Sequence, residues 1–134
     1  WEQLSCNNKE CLHIHPQTDS AACLEELGRA KISLNVMPWF KDGAHDRVFN
    51  SILNGALCVS DPSEYLCGEL KEGEGVCYYD LSHLEKLPEK VKELLQNETM
   101  MQDMVAKGKK KVLEYHTWKQ RAEWLEAQIK KLGF

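Results

Sequence analysis

The length, composition and charge of the chain exclude several classes of protein. Its 134 residues suffice for one compact domain and leave no room for two. The formal net charge is −4, and lysines and glutamates are interspersed except at Lys109–Lys111, so no basic face for nucleic acid is predicted. No apolar run approaches the roughly 20 residues that cross a bilayer, and no signal pattern begins the chain, so we expect a cytoplasmic domain.

The cysteines favour packing over a disulfide framework. Four soft metal ligands lie close together near the N-terminus: Cys6, Cys11, His13 and His15. They make a small zinc site one hypothesis, but the alternation over residues 11–15 fits a strand more simply, with Leu12 and Ile14 on one side. The other cysteines lie in apolar or helical runs and are interpreted as small buried hydrophobes: Cys23, Cys58, Cys67 and Cys77.

Strand and helix patterns alternate through the first part of the chain. Short apolar runs between polar turns predict four strands, at residues 11–15, 32–36, 56–60 and 76–79. The first helix is expected to begin at Asp19 or Ser20. Its buried face would comprise Ala22, Cys23, Leu24 and Leu27.

The second helix, predicted at residues 44–54, leads into the third strand. Its apolar face would contain Val48, Phe49, Ile52 and Leu53. Gly55 would end it in the left-handed conformation. Because parallel neighbours can be joined only by a crossover, repeated strand–helix–strand units predict a parallel sheet covered on both faces. We therefore expect an α/β, Rossmann-like, three-layer domain with about four strands.

After Tyr79 the pattern becomes entirely helical. Helices are predicted at residues 88–96, 98–115 and 117–132. The last one begins with a capping box, Thr117-x-x-Gln120. Its apolar stripe consists of Trp118, Ala122, Leu125, Ile129 and Leu132. We expect this stripe to pack back on the domain.

The candidate chemistry lies in the loop Met37–His45, between the second strand and the second helix. In open α/β sheets, ligands bind beyond the carboxyl ends of strands, where helix N-termini point N–H groups at anions. Backbone donors to a phosphate would come from Gly43, Ala44, His45 and Asp46. Side chains able to bind hydroxyls or a diphosphate cluster there: Asp42, His45, Asp46 and Arg47. The alternative is that Asp42 caps the helix and its neighbours form a solvated turn.

A longer pattern joins these residues to a known family. It runs from Asn35 to Asp61 and continues in Tyr65-Leu66, Glu72–Gly75, Tyr79–Leu81, Leu94-Leu95, Tyr115–Trp118 and Arg121-Ala122. This combination, over about residues 30–125, resembles the signature region of the glycosyltransferases group 1 type domain, including the branch related to the spore-maturation CgeB proteins.

The resemblance implies a GT-B architecture, in which two Rossmann-like domains face each other and the C-terminal one holds the nucleotide-sugar donor. The chain, residues 1–134, would be a single domain, the latter part of that C-terminal domain and a fragment of a longer protein. It would lack the N-terminal Rossmann-like domain and be inactive alone. The full-length enzyme could associate peripherally with a membrane. Since the chain has no Asp-x-Asp motif, we expect no metal or other cofactor.

The resemblance also implies roles for individual residues. Related retaining enzymes place two glutamates, with seven residues between them, near the donor sugar and on the ribose; the corresponding positions here are Asp42 and Asn50. Asp42 and His45 are the catalytic candidates. The donor-binding set implied is Asp42, Gly43, Ala44, His45, Asp46, Arg47 and Asn50. Because Asn50 lacks a charge-assisted acceptor, a degenerate, non-catalytic α/β module that binds a nucleotide or a partner stays an alternative.

Overall fold

Three short strands form a parallel sheet in the computed structural model, which describes residues 11–14, 16–39 and 41–133. The strands are β1 (Ile32–Asn35), β2 (Leu57–Ser60) and β3 (Val76–Tyr78), in the order β1-β2-β3. Ile32 pairs with Leu57, and Cys58 pairs with Val76. A helix lies in each connection, as parallel neighbours require. The predicted α/β, Rossmann-like fold is confirmed.

Most of the remaining described chain is helical. The helices are α1 (Ser20–Arg29), α2 (Asp46–Leu53), α3 (Glu64–Glu69), a 3-10 helix (Leu81–Lys86), α4 (Leu87–Gln96), α5 (Glu98–Tyr115) and α6 (Trp118–Lys131). The helical C-terminal portion predicted from the sequence is therefore confirmed. None of these helices is both long enough and apolar enough to cross a membrane.

The predicted helix ends follow local capping chemistry. The Asp19 carboxylate accepts a hydrogen bond of 2.9 Å from the Ala22 N–H at the start of α1. Thr117 and Gln120 form the predicted capping box of α6. After α2, Gly55 has a φ of 97°, which its missing side chain permits. These three predictions are confirmed.

The prediction of a strand at residues 11–15 is wrong. Residues 11–14 are exposed and form no strand, while His15 lies outside the described residues. Alternating side chains are compatible with an extended backbone, but a strand also needs a neighbour to pair with. Among the described residues the sheet therefore ends at β1, where Leu34 in the strand and Val36 just after it are 57% and 51% exposed. The prediction that both faces of the sheet are covered is therefore wrong at β1.

The prediction that α1 buries an apolar face is also wrong. Cys23 is exposed and Leu24 is 37% exposed. The helix α1 contacts α2, but none of its residues is buried. Cys58 and Cys77 are buried as predicted, whereas Cys67 is only half-buried.

The apolar stripe of α6 does not pack back on the domain. Trp118 is 90% exposed and Leu132 is 75% exposed, and α6 has no buried residue. Helical spacing correctly predicts an apolar face, but it carries no information about what covers that face.

Two apolar clusters enclose the sheet. Val48 and Ile52 of α2 pack against one face of β2, and Leu94 and Met101 of α4 and α5 pack against the other. The long helix α5 joins both clusters, because Val112, near its end, packs with α2. This arrangement fixes α2 relative to the strand ends.

The helix α5 passes very close to the turn before β3. A Cβ atom added to Gly108 would lie 2.5 Å from the Gly75 Cα and 2.6 Å from the Glu74 carbonyl oxygen. Both contacts are with backbone atoms, which have little room to move. A Cβ added to Gly68 in α3 would meet nothing within 4 Å.

We predict that Gly108→Ala lowers the free energy of unfolding by about 1–3 kcal/mol, since the new methyl group forces α5 away from the turn. Gly68→Ala is the control and should leave stability unchanged or raise it by up to about 1 kcal/mol. Urea denaturation of both variants measures the difference. Equal urea midpoints for the two variants would show that the close approach of α5 to the turn does not contribute to stability.

Candidate functional site

The loops that follow the three strands surround one cleft of about 880 Å³. Each strand contributes residues from beyond its carboxyl end: Met37, Lys41 and Asp42 after β1, Asp61 and Ser63 after β2, and Tyr79 and Asp80 after β3. Glu64 of α3 also lines it. This is where open α/β sheets bind ligands. We refer to it as the carboxyl-edge cleft.

Hydrogen bonds hold the loop after β1 against the loop after β2. The Met37 N–H donates to the Asp61 carboxylate over 2.7 Å, and the Glu64 N–H donates to the Lys41 carbonyl over 3.0 Å. Asp61 is 2% exposed, so its bond to the backbone is shielded from water. The loop carrying the predicted site residues is therefore fixed at both its start and its middle.

A buried polar network lies beneath this loop. The Asn35 side chain donates to the Ser60 hydroxyl over 2.9 Å, and the Tyr79 hydroxyl donates to the Asn35 carbonyl over 3.0 Å. The side-chain oxygen of Asn35 is buried without a hydrogen-bond partner. Burial raises the pKa of Tyr79, so its hydroxyl stays a neutral donor.

His45 caps α2. The ring Nδ1 of His45 accepts a hydrogen bond of 3.1 Å from the Arg47 N–H. The backbone N–H of His45 donates to the Met37 sulfur over 3.2 Å. Asp42, the capping residue in the alternative sequence interpretation, is exposed on the wall of the carboxyl-edge cleft.

The predicted site residues fall on neighbouring surfaces around the start of α2. Asp42 lines the carboxyl-edge cleft. A groove of about 300 Å³ between α1 and α2 contains His45, Asp46, Arg47 and Asn50. Gly43 and Ala44 are half-buried in the connecting backbone. The structure therefore brings the predicted residues together around one helix end, in more than one depression.

A third depression, of about 440 Å³, lies on the other side of α2, between α2, α3 and the start of α6. Its lining is rich in aromatic side chains: Phe49, Tyr65, His116 and Trp118, together with Ala44, Asp46, Asn50, Leu53, Thr117 and Arg121. We call it the aromatic pocket. No sequence pattern predicted the aromatic pocket, although Tyr65 and Tyr115–Trp118 belong to the pattern that indicated the family.

The side chains in the aromatic pocket fix one another. The His116 ring stacks on Phe49 with 5.1 Å between ring centroids. The Arg121 guanidinium donates to the Tyr65 hydroxyl and lies 2.9 Å from the His116 Nδ1. This wall of the pocket is consequently preorganised.

His116 is held mainly in its neutral form. Its side chain is only 2% exposed, and burial lowers the pKa of the imidazole. The Glu69 carboxylate, 3.3 Å from Nε2, opposes this effect, whereas Arg121 adds to it. A neutral His116 leaves Nδ1 able to accept a hydrogen bond from Arg121.

The buried thiols are unsuited to nucleophilic chemistry. Burial raises the pKa of Cys58 to about 12 and that of Cys77 to about 11. Both therefore remain protonated near neutral pH, and the reactive species would be the thiolate.

Asp61, Ser63 and Asp80 are cleft residues that the sequence analysis left without a role. The available signal was their position, because each lies within three residues of the end of a strand. The rule that ligands bind beyond the carboxyl ends of strands applies to β2 and β3 as it does to β1.

The zinc hypothesis gains no support within the described residues. Cys6 and His15 lie outside them, and Cys11 and His13 are exposed. No three described His, Cys, Asp or Glu side chains are grouped so that they could hold a metal ion.

We predict that stability falls as the pH drops from about 7.5 to about 5.5, across the ordinary histidine pKa of about 6.5. The unfolded chain binds a proton at His116 in this range, whereas the folded chain resists it because its pKa is lowered. His116→Gln should show a shallower pH dependence in urea denaturation. A pH dependence in His116→Gln as steep as that of the wild type would contradict the assignment.

Comparison with known proteins identifies the family of this chain. A family model described as Glycosyl transferase-like matches residues 1–127. Comparisons with curated proteins and with solved structures gave no match. The family match includes all three strands, the carboxyl-edge cleft and most of α6. The chain is a glycosyltransferase-type domain and belongs to the glycosyl transferase-like family.

Proposed function

We propose that the chain binds the nucleotide-sugar donor of a GT-B glycosyltransferase. The observation that carries the proposal is the carboxyl-edge cleft, of about 880 Å³, beside the N-terminus of α2. A cleft of this size can hold the sugar, and the N-terminus of α2 beside it is open to the phosphates. The acceptor would bind mainly on a second Rossmann-like domain, so the chain alone would be inactive.

The start of α2 is the proposed diphosphate site. The positive end of the helix dipole and the Arg47 guanidinium favour an anion there. Because the amides of His45 and Arg47 already have partners within the chain, we expect the backbone contacts to come from Gly43, Ala44 and Asp46. Lys41, on the wall of the carboxyl-edge cleft, adds a second cation.

The carboxyl-edge cleft is the proposed sugar site. Lys41 is the single cation among its lining residues. The lining contains four carboxylates: Asp42, Asp61, Glu64 and Asp80. An acidic surface repels phosphate, but it accepts hydrogen bonds from sugar hydroxyls. The sugar would therefore lie in the cleft, with the diphosphate outside it at the α2 end.

The proposed reaction transfers the sugar to an acceptor hydroxyl. The bond between the anomeric carbon and the diphosphate oxygen breaks and leaves its electron pair on the diphosphate. The acceptor oxygen bonds to the anomeric carbon, and its proton passes to a base. The dipole of α2 and Arg47 would stabilise the leaving diphosphate without a metal. Asp42 and His45 are the proposed catalytic residues.

The second candidate is a degenerate module that binds without turnover, and Asn50 is the observation that favours it. The resemblance implies a glutamate at this position on the ribose. The amide keeps hydrogen-bonding capacity but forms weaker bonds to a diol than a carboxylate does.

We predict that UDP- or GDP-sugars shift the NMR resonances of residues 42–47 in the full-length protein. Arg47→Ala should weaken binding by about 10- to 100-fold, because it removes a charge-assisted contact of about 1.5–3 kcal/mol. Arg29→Ala is the control: Arg29 is an exposed arginine that pairs with Glu26 on α1. The absence of any shift at residues 42–47 with either class of sugar nucleotide would overturn the proposal.

We predict that Asn50→Glu distinguishes the two candidates. In a degenerate site, the restored carboxylate should raise nucleotide affinity about tenfold, by regaining a charge-assisted hydrogen bond. In a working transferase that uses the amide, affinity should be unchanged or reduced. Calorimetric titration of wild-type and variant full-length protein with the same nucleotide gives the ratio.

A further inference from the structure

We propose that the aromatic pocket holds the base of the nucleotide donor, an inference that rests on the proposed function. The pocket shares α2 with the carboxyl-edge cleft. Ala44, next to the capping residue of α2, lines the pocket, and Asp42 lines the cleft. A nucleotide could therefore run from a base in the pocket, past the start of α2, to a sugar in the cleft.

Trp118 provides the stacking surface. It is the first residue of α6, and the capping box of Thr117 and Gln120 fixes the backbone around it. Its side chain is nevertheless 90% exposed at the rim of the pocket. A planar base placed against the indole would bury apolar surface that the chain alone leaves in water.

The opposite wall supplies polar recognition. Arg121 is held by Tyr65 and His116, and a guanidinium has five N–H donors, so it retains donors for the carbonyl oxygens and ring nitrogens of a base. The neutral His116, stacked on Phe49, keeps this wall in place without a second positive charge.

The α2 wall suits the ribose. Asp46 and Asn50 both line the pocket, one helical turn apart, and offer a carboxylate and an amide to the ribose hydroxyls. The volume of about 440 Å³ is sufficient for a nucleoside. A nucleoside thus fits this pocket better than an unsubstituted aromatic ring, which would leave these polar groups unused.

The test compares variants of the full-length protein by calorimetric titration with UDP, GDP and ribose 5-phosphate. Trp118→Ala should weaken binding of at least one of the nucleoside diphosphates by about tenfold or more, the usual effect of losing a stacked aromatic ring. Trp118→Phe should retain most of the affinity. The affinity for ribose 5-phosphate, which has no base, should be the same in the wild type and in Trp118→Ala.

Trp124→Ala is the matched control, because Trp124 lies on the same helix, is 60% exposed and does not line the pocket. It should leave nucleotide affinity unchanged. Equal nucleotide affinity in Trp118→Ala and wild type would overturn the base site while leaving the proposed function intact. A wild-type protein that binds neither UDP nor GDP would overturn both.

Discussion

The hydrogen bond from the Met37 N–H to the Asp61 carboxylate joins the two loops on which the candidate site depends. It connects the end of β1 to the end of β2, and Asp61 is almost completely buried. A carboxylate in that position accepts a backbone donor that would otherwise lie unpaired beneath the loop. The loop containing Lys41 and Asp42 is thereby held over the strand ends, and α2 begins at a defined place.

The position of α2 organises the whole surface around it. Its apolar residues Val48 and Ile52 anchor it in the core, while its exposed first turn separates three depressions. One depression lies at the strand ends, one beside α1 and one beside α6. A ligand with chemically distinct parts, such as a sugar, a diphosphate and a nucleoside, matches this division better than a compact ligand does.

The sequence predicted most accurately what local chemistry decides. Thr117 and Gln120 form their capping box, Gly55 has a positive φ, and the apolar runs of β1, β2 and β3 are strands. Each outcome depends on a few adjacent residues or on a pattern that only one structure satisfies. Family resemblance likewise indicated the loop before α2, where the cleft begins.

The wrong predictions concern partners distant in sequence. Leu24 and Trp118 lie on genuinely amphipathic helices, yet their exposure depends on what lies opposite them in space. The same is true of the short alternating segment before α1, since no strand lies beside it in the described part of the chain. Asp61 is the converse case: its neighbours in sequence give little hint that it is bonded to Met37, 24 positions earlier.

The exposed side chains of β1 have a consequence for handling the protein. Leu34 in β1 and Val36 just after it are exposed, so β1, one of the two outer strands of the sheet, presents an apolar margin that is unpaired among the described residues. Such a margin is a template for intermolecular strand addition. Concentrated preparations should therefore tend to associate through β1, and a lysine at position 34 or 36 would be the simplest means of keeping the domain monomeric for structural work.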